Sequence, residues 1–380
     1  MIKMVKGRFI ETMIENQRVL GATSGTLTVD LPNANYLQGL LLRVQNVNGA
    51  TSNIGETIQG DITKIEVIGD GIPLFSTSGR MCRKIEHYDI GDEPPTNETQ
   101  EPSAVQWAVF PIKFGRHAQD KELLVPAWQL STFQLKVTYA FTDSATAGYT
   151  TSVTNAKIDV IGRSLYSTER VNTPFLKKTE TYSKTPVSTG TESVNLPVGA
   201  GNGSYRRIML GCYEAGIEDG VDITDFELKV NDSQTIVKDR WDTAQIKNAN
   251  KYNAKHTKNI NLELGNTDTW GTYVSRIQSV TAIGGEAVHV PTITAVAGDT
   301  ITLGLSDLAV PTVVAVDETI RVAIKGSVVS HAVMIDLGTD NIADSLYVGG
   351  QAGISSLKVN YTVGATGGDT RVIAEQLVSF

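Results

Sequence analysis

Thr26-Leu-Thr-Val-Asp-Leu-Pro32 returns later in the chain as Thr191-Glu-Ser-Val-Asn-Leu-Pro197. Three further blocks return in the same order. Asp61-Ile-Thr-Lys-Ile-Glu-Val67 is matched by Asp222-Ile-Thr-Asp-Phe-Glu-Leu228. Val109-Phe-Pro-Ile-Lys-Phe-Gly115 is matched by Ala332-Val-Met-Ile-Asp-Leu-Gly338, and Leu135-Lys-Val-Thr-Tyr-Ala-Phe141 by Leu357-Lys-Val-Asn-Tyr-Thr-Val363. One such pair could be chance, because β sequences use a narrow alphabet; four collinear pairs indicate a duplication, the first thing to seek in a new sequence. Apolar positions alternate in the same phase within each pair. A slip of one residue would turn a core face to solvent, so matched phase predicts matched sheet positions.

Working outward from these blocks, the rest of the chain also reads as β. Ile62–Val67 and Phe133–Tyr139 alternate apolar and polar residues and are rich in Val, Ile, Thr and Tyr, which marks half-buried antiparallel strands. Tyr36–Val44 is nearly continuously apolar, as a strand buried on both faces would be. The 35 glycines and 12 prolines interrupt these runs at short intervals. Helical patterning is scarce: Phe9–Val19 is expected to form a short amphipathic helix, and Thr77–Tyr88 and Gln234–Tyr252 to hold one or two more. Helices do not alternate regularly with strands, which argues against a βαβ fold. The expected class is all-β, two tandem antiparallel sandwiches or barrels.

The expected division is an N-terminal arm with the short helix over 1–25, a first sandwich over 26–167, a polar linker over 168–190 and a second sandwich over 191–380. The residue-number offset between copies is 165, 161, 223 and 222 for the four blocks. The second half therefore carries an insertion of about 60 residues between its second and third blocks, a size that sits on a surface and often carries recognition. It is placed near 265–325, where Val, Ile and Thr alternate and charge is sparse, as in a small β subdomain.

Composition narrows the function. Of 380 residues, 41% are hydrophobic, enough for a large core. Thirty-three Lys and Arg against 41 Asp and Glu give a net charge of −8, with no basic block, which argues against sequence-specific nucleic-acid binding. No apolar run reaches the ~20 residues of a membrane span. No secretory signal follows the basic start Lys3, Lys6 and Arg8, so synthesis in a cytoplasm is expected. These three cations could touch anionic headgroups. Cys82 and Cys212 are too few for a disulfide framework, and with five histidines they make no zinc motif.

Searches for chemistry return little. No GxxxxGK[ST], HExxH, GxSxG or CxxC pattern occurs. Gly199-Ala-Gly-Asn-Gly203 precedes a strand, so it reads as a turn, not a phosphate cradle. His87, His117, His256, His289 and His331 are scattered without metal-ligand spacing. Asp89, Asp92 and Glu93, and likewise Glu218, Asp219 and Asp222, cluster beside Gly or Pro and read as solvated loop charges, not as a calcium loop. Trp107, Trp128, Trp241 and Trp270 could line a sugar groove, but core or interface packing is the expectation. Asn97-Glu-Thr99 and Asn360-Tyr-Thr362 match a glycosylation acceptor that has no use without secretion. No catalytic, cofactor-binding or metal-ligating residue is assigned, and no cofactor is expected.

Tyr36-Leu-Gln-Gly-Leu-Leu-Leu-Arg-Val44, Ile58–Ile68, Asp70-Gly-Ile-Pro-Leu-Phe75, Phe110-Pro-Ile-Lys-Phe-Gly-Arg116, Asp120, Leu124-Val-Pro-Ala127 and Ser131–Phe141 follow one another in an order that resembles major capsid proteins of the double jelly-roll lineage. Those proteins build tailless icosahedral viruses, including bacteriophages with an internal lipid membrane, and adenovirus hexon shares their architecture. The resemblance is clear over most of 26–141 and weaker in the second half. It implies two eight-stranded jelly rolls per chain, with the β insertion in the second forming an outward tower. It also implies homotrimers that act as pseudo-hexamers, localisation in the virion, and contacts with minor capsid and vertex proteins. An internal membrane would be met through the N-terminal arm. The family has no catalytic residues, so the resemblance implies a structural protein and no enzyme. Two other classes compete. A glycan-acting hydrolase on tandem sandwiches would need a pair of convergent carboxylates beside aromatic residues. A carbohydrate-binding or spike protein would need a distinct fibre or anchor. A capsid protein of the tailed-phage fold would need a long spine helix and a mixed α/β pattern.

Overall fold

The computed structural model describes residues 4–53, 56–150, 154–199, 203–214, 217, 220–253, 256–264, 267–271, 277–284, 289–297, 300–307, 318–338, 345–348 and 353–380. The first half runs β1 (Arg8–Val19), β2 (Ser24–Asp30), β3 (Tyr36–Asn53), α1 (Ile58–Asp61), β4 (Ile62–Gly69), β5 (Ile72–Thr77), α2 (Gly79–Ile90), β6 (Thr96–Thr99), β7 (Val105–Lys113), β8 (Phe133–Ala140), β9 (Ala147–Tyr149) and β10 (Lys157–Tyr166). The second runs β11 (Phe175–Lys184), β12 (Gly190–Leu196), β13 (Ser204–Tyr213), β14 (Ile223–Val230), β15 (Gln234–Arg240), α3 (Trp241–Tyr252) and β16 (His256–Leu264). It continues with β17 (Thr267–Gly271), β18 (Ile277–Gly284), β19 (His289–Ala297), β20 (Thr300–Asp307), β21 (Glu318–Gly326), β22 (Ala332–Asp336), β23 (Leu346–Tyr347), β24 (Leu357–Val363) and β25 (Asp369–Val378).

Two jelly rolls result. In the first, β2-β8-β4-β5 faces β1-β10-β3-β7; in the second, β12-β24-β14-β15 faces β11-β25-β13-β22. Each encloses its own apolar core. Leu42, Val44, Ile65, Val67, Phe110, Leu135 and Val137 fill one. Ile208, Leu210, Phe226, Leu228, Trp241, Val359 and Tyr361 fill the other. The insertion is β: β17, β20 and β19 form a small antiparallel sheet, and β21 and β18 follow β16 at the end of the sheet that begins at β1.

The duplication extends to irregularities. The β4–β8 register slips between Ile62 and Lys64, and the β14–β24 register slips between Ile223 and Asp225. The β4–β5 slip at Val67/Ile68 recurs in β14–β15 at Leu228/Lys229. A bulge between Leu37 and Gly39, opposite Arg163 and Ser164, recurs between Tyr205 and Arg207, opposite Glu375 and Gln376. A bulge re-aims the strand and fixes its twist, so bulges at equivalent places report equivalent strands. Both copies then carry a twelve-residue helix between an extended N-cap, Ser78 or Arg240, and a left-handed C-cap, Gly91 or Asn253.

Registers correct the fourth repeat pair. Val29 and Val67 both pair with Leu135, whereas their counterparts Val194 and Leu228 both pair with Val359. Leu135 therefore corresponds to Val359, two residues beyond the Leu357 that sequence similarity matched. A two-residue slip preserves which face each side chain takes, so the alternation could not detect it.

Four other expectations change. Arg8–Val19 is an edge strand on β10, not a helix. An isolated helix of that length is marginal in water, while pairing satisfies the open edge of β10. The expected linker 168–190 contains β11, which pairs with β25 and belongs to the second jelly roll. Gln234–Tyr252 is divided between a strand and a helix. Tyr36–Leu40 is buried on both faces, but Leu41 is 39% exposed and the strand alternates beyond it.

Candidate functional site

The residues singled out for chemistry do not converge. His87 and His331 are buried, and His117 is exposed. His256 and His289 start strands of the insertion. Among the described residues no group of His, Cys, Asp or Glu could hold a metal ion. Cys82 and Cys212 are buried thiols outside any disulfide; burial, then the charge of Glu86, pushes the Cys82 thiol well above its ordinary range. Trp241 is core, Trp107 lies under the Arg43 guanidinium at 5.3 Å, and Trp128 packs edge-on against Tyr36. Glu218, Asp219 and residues 200–202 of the glycine-rich turn lie outside the described residues, as does the side chain of Trp270.

What the fold does assemble is the junction between the jelly rolls. The β5 strand of the first pairs in parallel with β11 of the second through Phe75–Lys178 and Ser76–Thr179. The β6 strand pairs in parallel with β16 through Glu98–Ile260 and Thr99–Asn261. Sheets thus run continuously from one roll into the next. Between these seams lies α2. Its apolar residues fall at helical spacing but on two faces. Cys82 turns into the first core, while Met81, Ile85 and Tyr88 pack on Met209, Met334, Ile373 and Ala332 of the second roll. The Tyr88 hydroxyl donates to the Ala332 carbonyl at 2.8 Å, and its ring meets Tyr252 edge-on at 5.2 Å.

Charges close the junction. Asp89, at the end of α2, accepts from Arg207 and from Lys178 Nζ at 3.2 Å. Glu375 on β25 accepts from Arg207 Nη2 at 2.8 Å and Nε at 3.0 Å, from Arg206, and faces Lys178 Nζ at 3.5 Å. All five side chains are buried. Burial opposes the charge on both carboxylates, but Arg207 and Lys178 overcome it and hold Asp89 and Glu375 below their ordinary ranges. The expectation that Asp89 and Glu93 are solvated is therefore corrected; Asp92 alone of the three is exposed. Glu93 meets the buried Arg83, whose guanidinium donates to the carbonyls of Pro94, Pro95 and Val109. Asp222 is likewise buried. On the second seam, Lys258 Nζ lies 2.6 Å from Glu98 Oε2, both buried.

A further buried carboxyl, Asp61, lies in α1 of the first roll. Burial, reinforced by the hydrogen bond and charge of Glu56, pushes Asp61 up to about 9, beside the fully buried Tyr149. This carboxyl–aromatic group has the residue types that hydrolysis would need, but Asp61 is only 5% exposed and sealed from substrate. An apolar groove lies elsewhere: a volume of about 410 Å³ on the outer face of β1-β10-β3-β7, floored by Leu41, Pro111 and Ile161 and walled by Ile90 at the end of α2. No described helix is long and apolar enough to cross a membrane.

No protein-family description and no curated protein matches the chain. Solved structures do. The STIV MCP is 12% identical, with 98% of this chain and 96% of that one covered at a TM-score of 0.60. A chain of the atomic structure of Sulfolobus turreted icosahedral virus is 11% identical, with coverages of 98% and 90% and the same TM-score. The major capsid protein P2 from bacteriophage PM2 is 11% identical, with both chains covered to 98% at a TM-score of 0.53. At these identities the likeness is one of fold. The fold is the double jelly roll of major capsid proteins, over nearly the whole length of both chains.

Proposed function

We propose that this double jelly-roll chain is the major capsid protein of a tailless icosahedral virus, located in the virion, which forms homotrimers whose six similar lobes tile the shell as pseudo-hexamers. One observation carries this reading: the two rolls repeat each other down to their bulges and are fixed together by shared sheets and a buried charge junction. A rigid chain with two matched lobes supplies pseudo-sixfold shape from threefold symmetry, and a head-to-tail contact that closes into a ring generates the trimer. The likeness to the STIV MCP and to the PM2 major capsid protein over full length supports it.

In this reading the chain is structural and has no catalytic residues. The insertion near 265–325 stands as an outward tower. Its partners are further copies of the chain, minor capsid and vertex proteins, and an inner lipid layer touched by the exposed Met4, Lys6 and Arg8. The test is mass by size exclusion with light scattering. A trimer of three times 40.9 kDa, or a larger particle, is expected. A monomer at micromolar concentration overturns the reading.

A further inference from the structure

The groove on the first roll is the vacant equivalent of the seat that α2 fills on the second. Across the first sheet Ile161 pairs with Leu41 and Leu41 with Pro111. Across the second, Met209 pairs with Ile373 and with Met334. The shared bulge makes Leu41, Ile161 and Pro111 the counterparts of Met209, Ile373 and Met334. In the next row Arg163 pairs with Glu11 and Gly39, as Glu375 pairs with Lys178 and Arg207. The second-roll row is covered by Met81, Ile85 and Tyr88 of α2. The first-roll row lines the open groove, leaving Leu41 39% exposed.

The helix equivalent to α2 is α3, and its outer face is open. Counted from the N-caps, Lys84 corresponds to Ile246 and Asp89 to Lys251. Ile246 is 49% exposed. We infer that α3 of one copy docks in the first-roll groove of the next copy, repeating between chains the contact that α2 makes within one. This rests on the trimer reading and names its contact surface.

Complementarity favours a second copy as the occupant. Within the chain, Asp89 of α2 meets Lys178. Between chains, Lys251, which also meets Asp336 of its own chain, would meet Glu11, which faces Arg163 as Lys178 faces Glu375, so the equivalent position repeats with the signs exchanged. Within the chain, Lys84 Nζ donates to Ser330 Oγ at 2.6 Å. Between chains, Ile246 would meet Trp107, which stands two residues before Val109 as Ser330 stands two before Ala332. A polar pair is thus replaced by an apolar pair and a charge pair by its reverse. At these two positions the changes match on both sides, whereas Thr243, Lys247 and Asn250 stand where α2 carries Met81, Ile85 and Tyr88, so the specificity of the contact lies in these two pairs.

The test is a full-length Ile246→Cys/Trp107→Cys variant, bridged with a short bismaleimide and run on a denaturing gel. Cys82 and Cys212 are buried and stay unmodified in the native protein. Covalent dimers and closed trimers are expected, and neither single variant should give a closed trimer. A protein that is trimeric by light scattering but gives no inter-chain product overturns this surface and leaves the trimer reading standing. A protein that is monomeric overturns both. Separately, Glu11→Lys should weaken trimer association by about tenfold or more, the effect of a complementary charge turned repulsive. Adding Lys251→Glu should restore association; a double variant no better than Glu11→Lys removes the proposed pairing.

Discussion

Asp89→Asn tests whether the buried charges hold the two jelly rolls together. The change keeps the shape of the side chain and removes its charge. Three cations, Lys178, Arg206 and Arg207, then share Glu375 in a buried site. Removing one partner of a buried pair costs about 3–5 kcal/mol, because the remaining charge loses its compensation without regaining water. Glu375 still holds Arg207 through two hydrogen bonds, so the lower end, about 3 kcal/mol, is expected here. With an unfolding entropy of about 2.1 cal/mol/K per residue, this lowers the melting temperature of a cooperative unit of this size by roughly 4 °C. Urea unfolding followed by circular dichroism, at fixed protein concentration, measures the loss directly. The double variant Asp89→Asn/Lys178→Met removes one charge of each sign and should recover at least half of it. A loss of Asp89→Asn below about 0.5 kcal/mol, within the range of ordinary surface changes, would refute the claim that the junction depends on this charge.

The remaining expectations concern other parts of the fold. Asp61, whose folded-state value is raised to about 9, binds its proton more tightly when folded. Its contribution is therefore full below the ordinary carboxyl range and falls as pH rises toward 9, by up to about 1.4 kcal/mol per pH unit. Asp61→Asn should flatten that decline and stabilise the protein at pH 8 in pH-dependent denaturation; an unchanged profile would mean that Asp61 is solvated. Gly91 caps α2 with φ +78° and a Cβ there would approach the Tyr252 carbonyl at 3.1 Å. Gly91→Ala should cost about 1 kcal/mol or more in chemical denaturation, and no loss would mean that the cap conformation is relaxed elsewhere. Replacing residues 265–317 with a short Gly/Ser linker should leave cooperative melting of both rolls, since closing a loop costs little. Loss of all cooperative melting would place those residues in the second core.

Local pattern determined a great deal. The alternation of Val29, Ile65, Val67, Leu135 and Val137 named the core faces, and four repeated blocks named the tandem architecture, because strand period and turn chemistry are carried by neighbours in sequence. Thr77–Tyr88 was legible as a helix for the same reason. Tertiary structure decided what depends on distant partners. Phe9–Val19 had apolar residues at spacings compatible with a helix, and only the open edge of β10 made it a strand. Leu135 found Val359, not Leu357, because alternation fixes the face and not the register. Asp89 read as a solvated loop charge beside Gly91, yet it lies against Arg207, 118 residues away, in the place where one jelly roll meets the other. The environment of a charged side chain is set by whatever the fold packs against it. A sequence therefore reveals which strands repeat, but only the packed chain reveals that one repeat covers its partner's sheet with a helix while the other leaves the same sheet open.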